Sequence, residues 1–238
     1  MIRKRTEELV NLDFESGETV LIDKGLNKSS FYVIYKFQKS IGVKKAGHAG
    51  TLDPKATGLL IVCTGKNTKK ISEFQGLSKT YEGVIEIGKK TPSMDTETEV
   101  SEVKDISGIT EEDIFRVRDS FIGTTLQSPP MYSAVKHKGK SLYMYARKGV
   151  DIERQPREIT VTEFEITKLD LPEVHFRISC SKGSYIRVIA DDFGAKLGCG
   201  GYLKELRRTA IGEYKVEDAF TIDEFVEKVK NRNSAVLN

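Results

Sequence analysis

The chain has 238 residues and a net charge of +3, with 38% hydrophobic and 31% charged residues. That balance fits an ordinary globular protein with a real core and excludes a disordered or fibrous one. Its longest apolar run, Leu59-Leu60-Ile61-Val62-Cys63, is far too short to span a bilayer, and the basic N-terminus leads into no apolar stretch of the secretory kind. Cys63, Cys180 and Cys199 are scattered without a C-x-x-C pair, which fits small buried residues in a reducing cytosol.

Thr19 to Asp23 reads as a strand bounded by Gly17 and Gly25. Ser29 or Ser30 caps a helix to about Ser40, with Val33, Ile34 and Phe37 on its inner face. Gly42 to Gly50 is expected to be a loop, Leu59 to Cys63 a buried strand and Thr68 to Phe74 a short helix. Thr80 to Ile87 alternates as a half-exposed strand. The acidic start Thr110-Glu111-Glu112-Asp113 opens a helix to about Phe121, its charges favourable against the helix dipole. Residues 127–157 carry Pro129, Pro130, Gly139, Gly149 and Pro156 and shift to a basic-aromatic composition, the pattern of an insertion. Ile159–Leu169 and Val174–Ser181 form paired strands across Pro172, Ser184–Leu197 a helix closed by Gly198, Tyr202–Tyr214 a strand, and Ile222–Val229 a last helix capped by Thr221. Strands and helices mix without strict alternation, so the fold class is α+β rather than a doubly wound parallel sheet.

The charge is segregated. Between Lys24 and Ser72 stand ten lysines and a single carboxylate, Asp53, where composition would place about seven acids. Between Met131 and Arg157, four lysines and three arginines face two acids, with Tyr132, Tyr143 and Tyr145 interleaved. Two basic runs in an otherwise acidic chain describe one polyanion-binding face, and aromatics among cations suit base stacking with phosphate neutralisation. The bland alternatives are a solvated lysine-rich surface and tyrosines that pack down.

Asp53 sits in Gly47-His48-Ala49-Gly50-Thr51-Leu52-Asp53-Pro54-Lys55-Ala56-Thr57-Gly58. Pro54 biases Asp53 away from helix, and the glycines permit close approach of a ligand or another backbone. Asp-Pro in a glycine-rich loop is often only a turn, yet a face built for polyanions should exclude carboxylates, and one retained there needs a purpose. A phosphate loop is ruled out: six residues separate Gly58 from Gly65, and Asn67 follows Lys66. His48, His137 and His175 lack metal-ligand spacing, and no nucleophile elbow occurs. In Ser181-Lys182-Gly183-Ser184-Tyr185-Ile186-Arg187, Tyr185 and Arg187 fall near a helix start, a place suited to anions. Asp191-Asp192 read as solvated acids.

These residues, taken with Lys79-Thr80-Tyr81, Pro130-Met131-Tyr132-Ser133-Ala134 and Leu206-Arg207-Arg208, resemble the bacterial tRNA pseudouridine synthase B family. The five blocks occur in family order over about residues 18 to 225. The resemblance implies a pseudouridine synthase fold, with a mixed, mainly antiparallel central sheet flanked by helices. It also implies a cytoplasmic isomerase that converts uridine-55 in the T-loop of tRNA to pseudouridine. By the resemblance, Asp53 matches the catalytic aspartate and Tyr81 the tyrosine that contacts the flipped base and is implicated in deprotonating its C5. Tyr185 and Leu206 match the base pocket, and Arg187 the arginine that pairs with the carboxylate. His48 matches a histidine that packs into the T-loop, and Lys24 falls in the first family motif, where Gly25 replaces the usual proline. The insertion corresponds to an element that closes over RNA. The expected organisation is one catalytic domain over residues 1–238 without a separate C-terminal RNA-binding domain. The expected partner is tRNA through its T-arm, bound by a monomer with no protein partner, no membrane, no metal and no cofactor. A non-catalytic RNA-binding or RNA-folding module would share the basic face but leave Asp53 unexplained. A nucleoside hydrolase or glycosidase would release a free base or sugar, and an RNA-guided relative fits the pattern less well.

Overall fold

The computed structural model of the protein describes residues 1–6, 12–133 and 135–235. In chain order the longer elements are β1 (Thr19–Lys24), α1 (Ser30–Ile41), β2 (Ala46–His48), β3 (Ala56–Thr64), α2 (Ile71–Gly76) and β4 (Lys79–Ile87). Then follow α3 (Glu111–Asp119), β5 (Gly123–Gln127), α4 (Leu142–Ala146), β6 (Arg157–Asp170), β7 (Glu173–Cys180), α5 (Ile186–Lys196), β8 (Gly201–Ile211) and α6 (Ile222–Ala235). The fold is α+β, with mainly antiparallel strands flanked by helices. The chain separates into two compact units, Met1–Tyr81 with Leu206–Asn238, and Glu82–Glu205.

The first unit is organised on β3. It pairs antiparallel with β1, from Thr19↔Cys63 to Lys24↔Gly58, antiparallel with β2, and parallel with the middle of β8, from Leu206↔Ala56 to Arg208↔Gly58. Leu59 to Cys63 are all fully buried, which is why the run is uniformly apolar instead of alternating. Leu21, Ala49, Leu59, Ile61, Cys63 and Ile211 share one core cluster, with Ile71 and Phe74 of α2 packed on it. Helix α1 starts at Ser29, whose hydroxyl accepts from the Tyr32 amide, and stops at Gly42 in the left-handed region, φ 73°. Its buried side chains are Ser30, Val33, Ile34 and Phe37, and Phe37 stacks on Phe225 of α6 with ring centres 4.6 Å apart. Such a pair contributes roughly 0.5–1.5 kcal/mol beyond its buried area. The stretch 42–50 is not wholly loop as expected. Ala46–His48 adds to the edge of β3, a pairing that three residues of sequence do not announce.

In the second unit the strands run in the order β4, β7, β6, β5. β6 and β7 pair antiparallel as expected, from Asp170↔Glu173 at the turn to Val161↔Cys180. Phe121, Phe164, Phe176 and Phe193 pack ring on ring in its core. α3 opens with a reciprocal capping box between Thr110 and Asp113. The half-exposed reading of β4 fails, because Val84, Ile85, Glu86 and Ile87 are all buried. Glu86 tolerates this because the Tyr202 hydroxyl and the Lys89 ammonium each donate to its carboxylate at 2.6 Å. The helix predicted from Ser184 begins at Ile186, since the Ser184 hydroxyl turns back to the Ser181 carbonyl and Tyr185 stays extended. Asp192 is exposed as expected, but Asp191 is half-buried, with Lys90 as its counter-ion at 3.8 Å. All three cysteines are buried thiols.

Candidate active site

The loop that carries Asp53 is fastened at both ends by side chains from distant parts of the first unit. At Leu52, the buried Ser30 hydroxyl accepts from the amide and donates to the carbonyl, both at 3.0 Å. At Pro54, the carbonyl accepts from the Asn27 amide at 2.9 Å and from the Lys24 ammonium at 3.4 Å. Asn27 itself sits in the left-handed region, φ 58°, a conformation asparagine tolerates better than most residues. Just before the loop, Arg208 donates to the carbonyl of Gly50 at 3.0 Å, and just after it to the carbonyl of Leu59 at 2.8 Å. Arg208 is buried outright, a cost that these charge-assisted bonds to carbonyls offset. Gly58, φ 108°, lies so close to this strand that a Cβ there would come within 2.2 Å of the Arg208 carbonyl oxygen. Only glycine fits. Asp53 is thus a half-buried carboxylate on a loop with little freedom to wander.

The other candidate residues of the first unit lie on β1, β2, β4 and β8. Lys24 is fully buried, and besides Pro54 its ammonium donates to the carbonyls of Lys28 at 2.8 Å and Gly25 at 3.1 Å. Burial pushes its pKa from 10.5 down to about 8, against the pull of the Asp53 charge. Its bonds make it a fastener of this loop. His48 lies on β2, half-buried. Its Nδ1 has no hydrogen-bond partner, and burial, followed by the nearby Arg208 charge, lowers its pKa. The ring is therefore neutral at pH 7 and suits apolar packing or stacking, not phosphate neutralisation. Leu206 stands half-buried on β8, opposite Ala56 in the ladder. Tyr81 is buried on β4, beside Thr80, whose carbonyl accepts from Thr209 at 3.3 Å. Lys44, Lys45, Lys55, Lys66, Lys69 and Lys70 of the same unit are exposed.

In the second unit, Tyr185 and Arg187 meet. The guanidinium carbon of Arg187 lies 5.7 Å from the tyrosine ring centre. Gln127 clasps the Tyr185 backbone, accepting from its amide at 2.8 Å and donating to its carbonyl at 3.2 Å. Arg187 is buried and forms an ion pair with Asp95 at 3.3 Å while also donating to the Tyr132 carbonyl. A buried arginine so paired is fixed in orientation as well as charge. In the insertion, Tyr143 donates to Glu97, meets Tyr132 edge to face, and lies under the Arg147 guanidinium at 4.7 Å. Its tyrosines are half-buried while Lys136, Lys138, Lys140, Arg147 and Lys148 stay exposed. Ala134, the end of the Pro130 block, lies outside the described residues. Asp95 and Gln127 were not expected at the site from sequence, and Ser30 and Arg208, read there only as a possible helix cap and as the end of a family block, were not expected to hold the Asp53 loop. Their signals, two serines in a row, an aspartate after a methionine, a glutamine before Ser-Pro and the second of two arginines, are too common to stand out. Among the described residues there is no group of three or more His, Cys, Asp or Glu placed to hold a metal, and no helix long and apolar enough to cross a membrane.

Residues 38–186 match the TruB family pseudouridylate synthase, N terminal domain, and residues 187–237 match the tRNA pseudouridylate synthase B C-terminal domain. The chain belongs to the TruB family. Among the relatives of this TruB-family chain is the tRNA pseudouridine synthase B of Chlorobium chlorochromatii, 51% identical over 92% of this chain and 88% of that one. That of Chlorobaculum tepidum is 48% identical over 93% and 95%, and that of Flavobacterium johnsoniae 47% over 92% and 98%. Among solved structures, a chain of the archaeal box H/ACA sRNP Nop10-Cbf5 complex superposes with a TM-score of 0.71 at 23% identity, over 96% of this chain and 58% of that one. A chain of a Cbf5-Nop10-Gar1 complex gives 0.68 at 26%, over 95% and 62%. This chain thus spans about three-fifths of those solved chains, and the likeness to them is one of fold.

Proposed function

We propose that this protein isomerises a uridine of tRNA, uridine-55 in the T-loop, to pseudouridine, with Asp53 as the catalytic carboxylate. The observation that carries the reading is the Asp53 loop itself. A lone carboxylate in an acid-poor, lysine-rich stretch is held in place by Ser30, Lys24 and Arg208, an arrangement suited to one anion acting on a polyanionic partner. The relatives' shared name supports the same substrate and reaction.

The chemistry asks for little else. The bond between N1 of the base and C1′ of the ribose breaks, the base turns while held, C5 bonds to C1′, and the C5 proton is lost as N1 gains one. Atoms balance without a redox partner. The uridine must first leave its stack, at a cost of a few kcal/mol, which apolar and aromatic contacts offset. Tyr81 and Leu206 are proposed to bind the base, His48 to pack as a neutral ring against the emptied loop, and Lys24 to fix the Asp53 loop. Tyr185 and Arg187 carry the roles their resemblance gives them, base binding and the positive charge of the reaction centre. Asp53 either attacks C1′ or removes a neighbouring sugar proton. We further propose that the whole chain serves as one catalytic domain, a cytoplasmic monomer needing no cofactor, with the exposed cations of residues 127–157 gripping the RNA.

The test is to incubate the purified protein with unmodified tRNA and map pseudouridine at single-nucleotide resolution. Conversion at one T-loop uridine is expected. Unmodified RNA, or release of free uracil, would overturn the reading.

A further inference from the structure

Helix α1 buries Ser30, Val33, Ile34 and Phe37, but its outer face is unusual. Phe31 is 78% exposed, Tyr35 56% and Tyr32 43%, with Leu26 at 55% just before the helix. Phe31, Tyr35 and Lys39 follow one another at intervals of four, so they form one stripe along the helix, with Tyr32 beside it. Each aromatic ring offers roughly 150–250 Å² of surface, and a surface helix normally shows polar residues there. Exposed apolar surface gathered in one patch marks a binding face more often than chance.

Two observations decide what kind of partner fits. The helix contains no acid, and the cations at its far end, Lys39, Lys44 and Lys45, are exposed. Lys28 and Lys36 turn instead to Asp223 on α6. A protein-docking helix buried against a partner has no need of a surrounding stretch so depleted in carboxylates, whereas rings set beside exposed cations that form no ion pair among the described residues match a polyanion carrying flat, stackable groups. The stripe begins one residue after Ser30, which on the buried face of the same helix holds Leu52 of the Asp53 loop.

We propose that Phe31, Tyr32 and Tyr35 form a stacking platform for unpaired bases of the RNA substrate outside the target nucleotide, with Lys39, Lys44 and Lys45 neutralising the adjoining phosphates. The identity of that RNA as the substrate rests on the function proposed above; the platform itself rests on the exposed rings and their charge surroundings. Base–aromatic stacking is tolerant of sequence, so the platform recognises unpaired geometry and not a particular base.

The experiment compares the intact protein with a triple variant, Phe31→Ser, Tyr32→Ser and Tyr35→Ser, and with the single variants Tyr35→Ser and Tyr35→Phe. The probes are a labelled single-stranded oligouridylate, an RNA duplex of equal length and an unmodified tRNA transcript, at one fixed salt concentration. Removing a stacking ring weakens single-strand binding by about fivefold to a hundredfold per base. The triple variant is therefore expected to lose at least that much affinity for the oligouridylate, to lose far less for the duplex, and to show a matching rise in KM for tRNA. Tyr35→Ser shows a smaller loss of the same kind, which keeps the test valid if the triple variant does not fold, and Tyr35→Phe retains binding because the ring is kept. Equal affinities for the single strand, or equal losses on single strand and duplex, overturn the platform. So does a protein dimer that the triple variant dissolves, since the stripe would then belong to a second copy of the chain. An intact protein that binds the single strand through these rings but converts no uridine would retain the platform and sink the proposed function instead.

Discussion

Replacing Ser30 by alanine removes one oxygen and leaves two backbone groups of Leu52 without partners. Ser30 is 2% exposed, and its hydroxyl meets both the amide and the carbonyl of Leu52 at 3.0 Å. A buried group left unsatisfied costs about 1–3 kcal/mol, so Ser30→Ala, which leaves two, should destabilise by about 2–6 kcal/mol, a large share of a typical total of about 5–15 kcal/mol. Ser40→Ala on the same helix is the control. Its hydroxyl donates only to the Phe37 carbonyl and is half-buried, and its loss should cost less than about 1 kcal/mol. The functional effect should be larger than the stability loss implies, because Leu52 precedes Asp53 and a misplacement of about 1 Å can lower a rate a hundredfold. Urea unfolding gives the first quantity and single-turnover conversion of unmodified tRNA, under conditions where the variant is folded, gives the second. If Ser30→Ala matched Ser40→Ala in both stability and rate, the claim that this hydroxyl positions the loop would be wrong.

Gly58→Ala should cost about 4 kcal/mol or more, since its Cβ would meet the Arg208 carbonyl at 2.2 Å at a backbone φ of 108°. Gly76→Ala, with nothing within 4 Å of the new Cβ, should be near neutral, and equal melting temperatures for the two would refute the packing argument. Lys24 has a folded pKa of about 8 against 10.5 when unfolded, so between those values the unfolded chain binds more protons and stability rises with pH. Relative to Lys24→Met, the intact protein should gain about 3 kcal/mol from pH 7 to 10.5; parallel stability curves would show that its ammonium is not desolvated. Affinity for tRNA should fall about a hundredfold between 50 and 200 mM salt as exposed lysines release counterions, and a change under threefold would remove the basic segments from binding.

Elements stabilised by their own residues were legible in the sequence. The cap and inner face of α1, the apolar run of β3 and the hairpin of β6 and β7 follow from local chemistry and periodicity. What was not legible depends on partners far along the chain. β2 exists because β3 offers an edge, Glu86 is buried because Tyr202 reaches it, and the loop of Asp53 is held by Ser30 and Arg208. Asp53 could be picked out because its charge contradicted its surroundings. Asp95 could not, because an acid among Glu97, Glu99 and Glu102 contradicts nothing, and only its contact with Arg187 distinguishes it.

The most direct measurement is single-turnover conversion of unmodified tRNA by Asp53→Asn, read beside its affinity for the same RNA. The change keeps the size of the side chain and removes its charge. Conversion should disappear while the dissociation constant stays within a few-fold of that of the intact protein. A variant that still forms pseudouridine at a comparable rate would remove Asp53 from the chemistry and with it the reason for the loop that holds it.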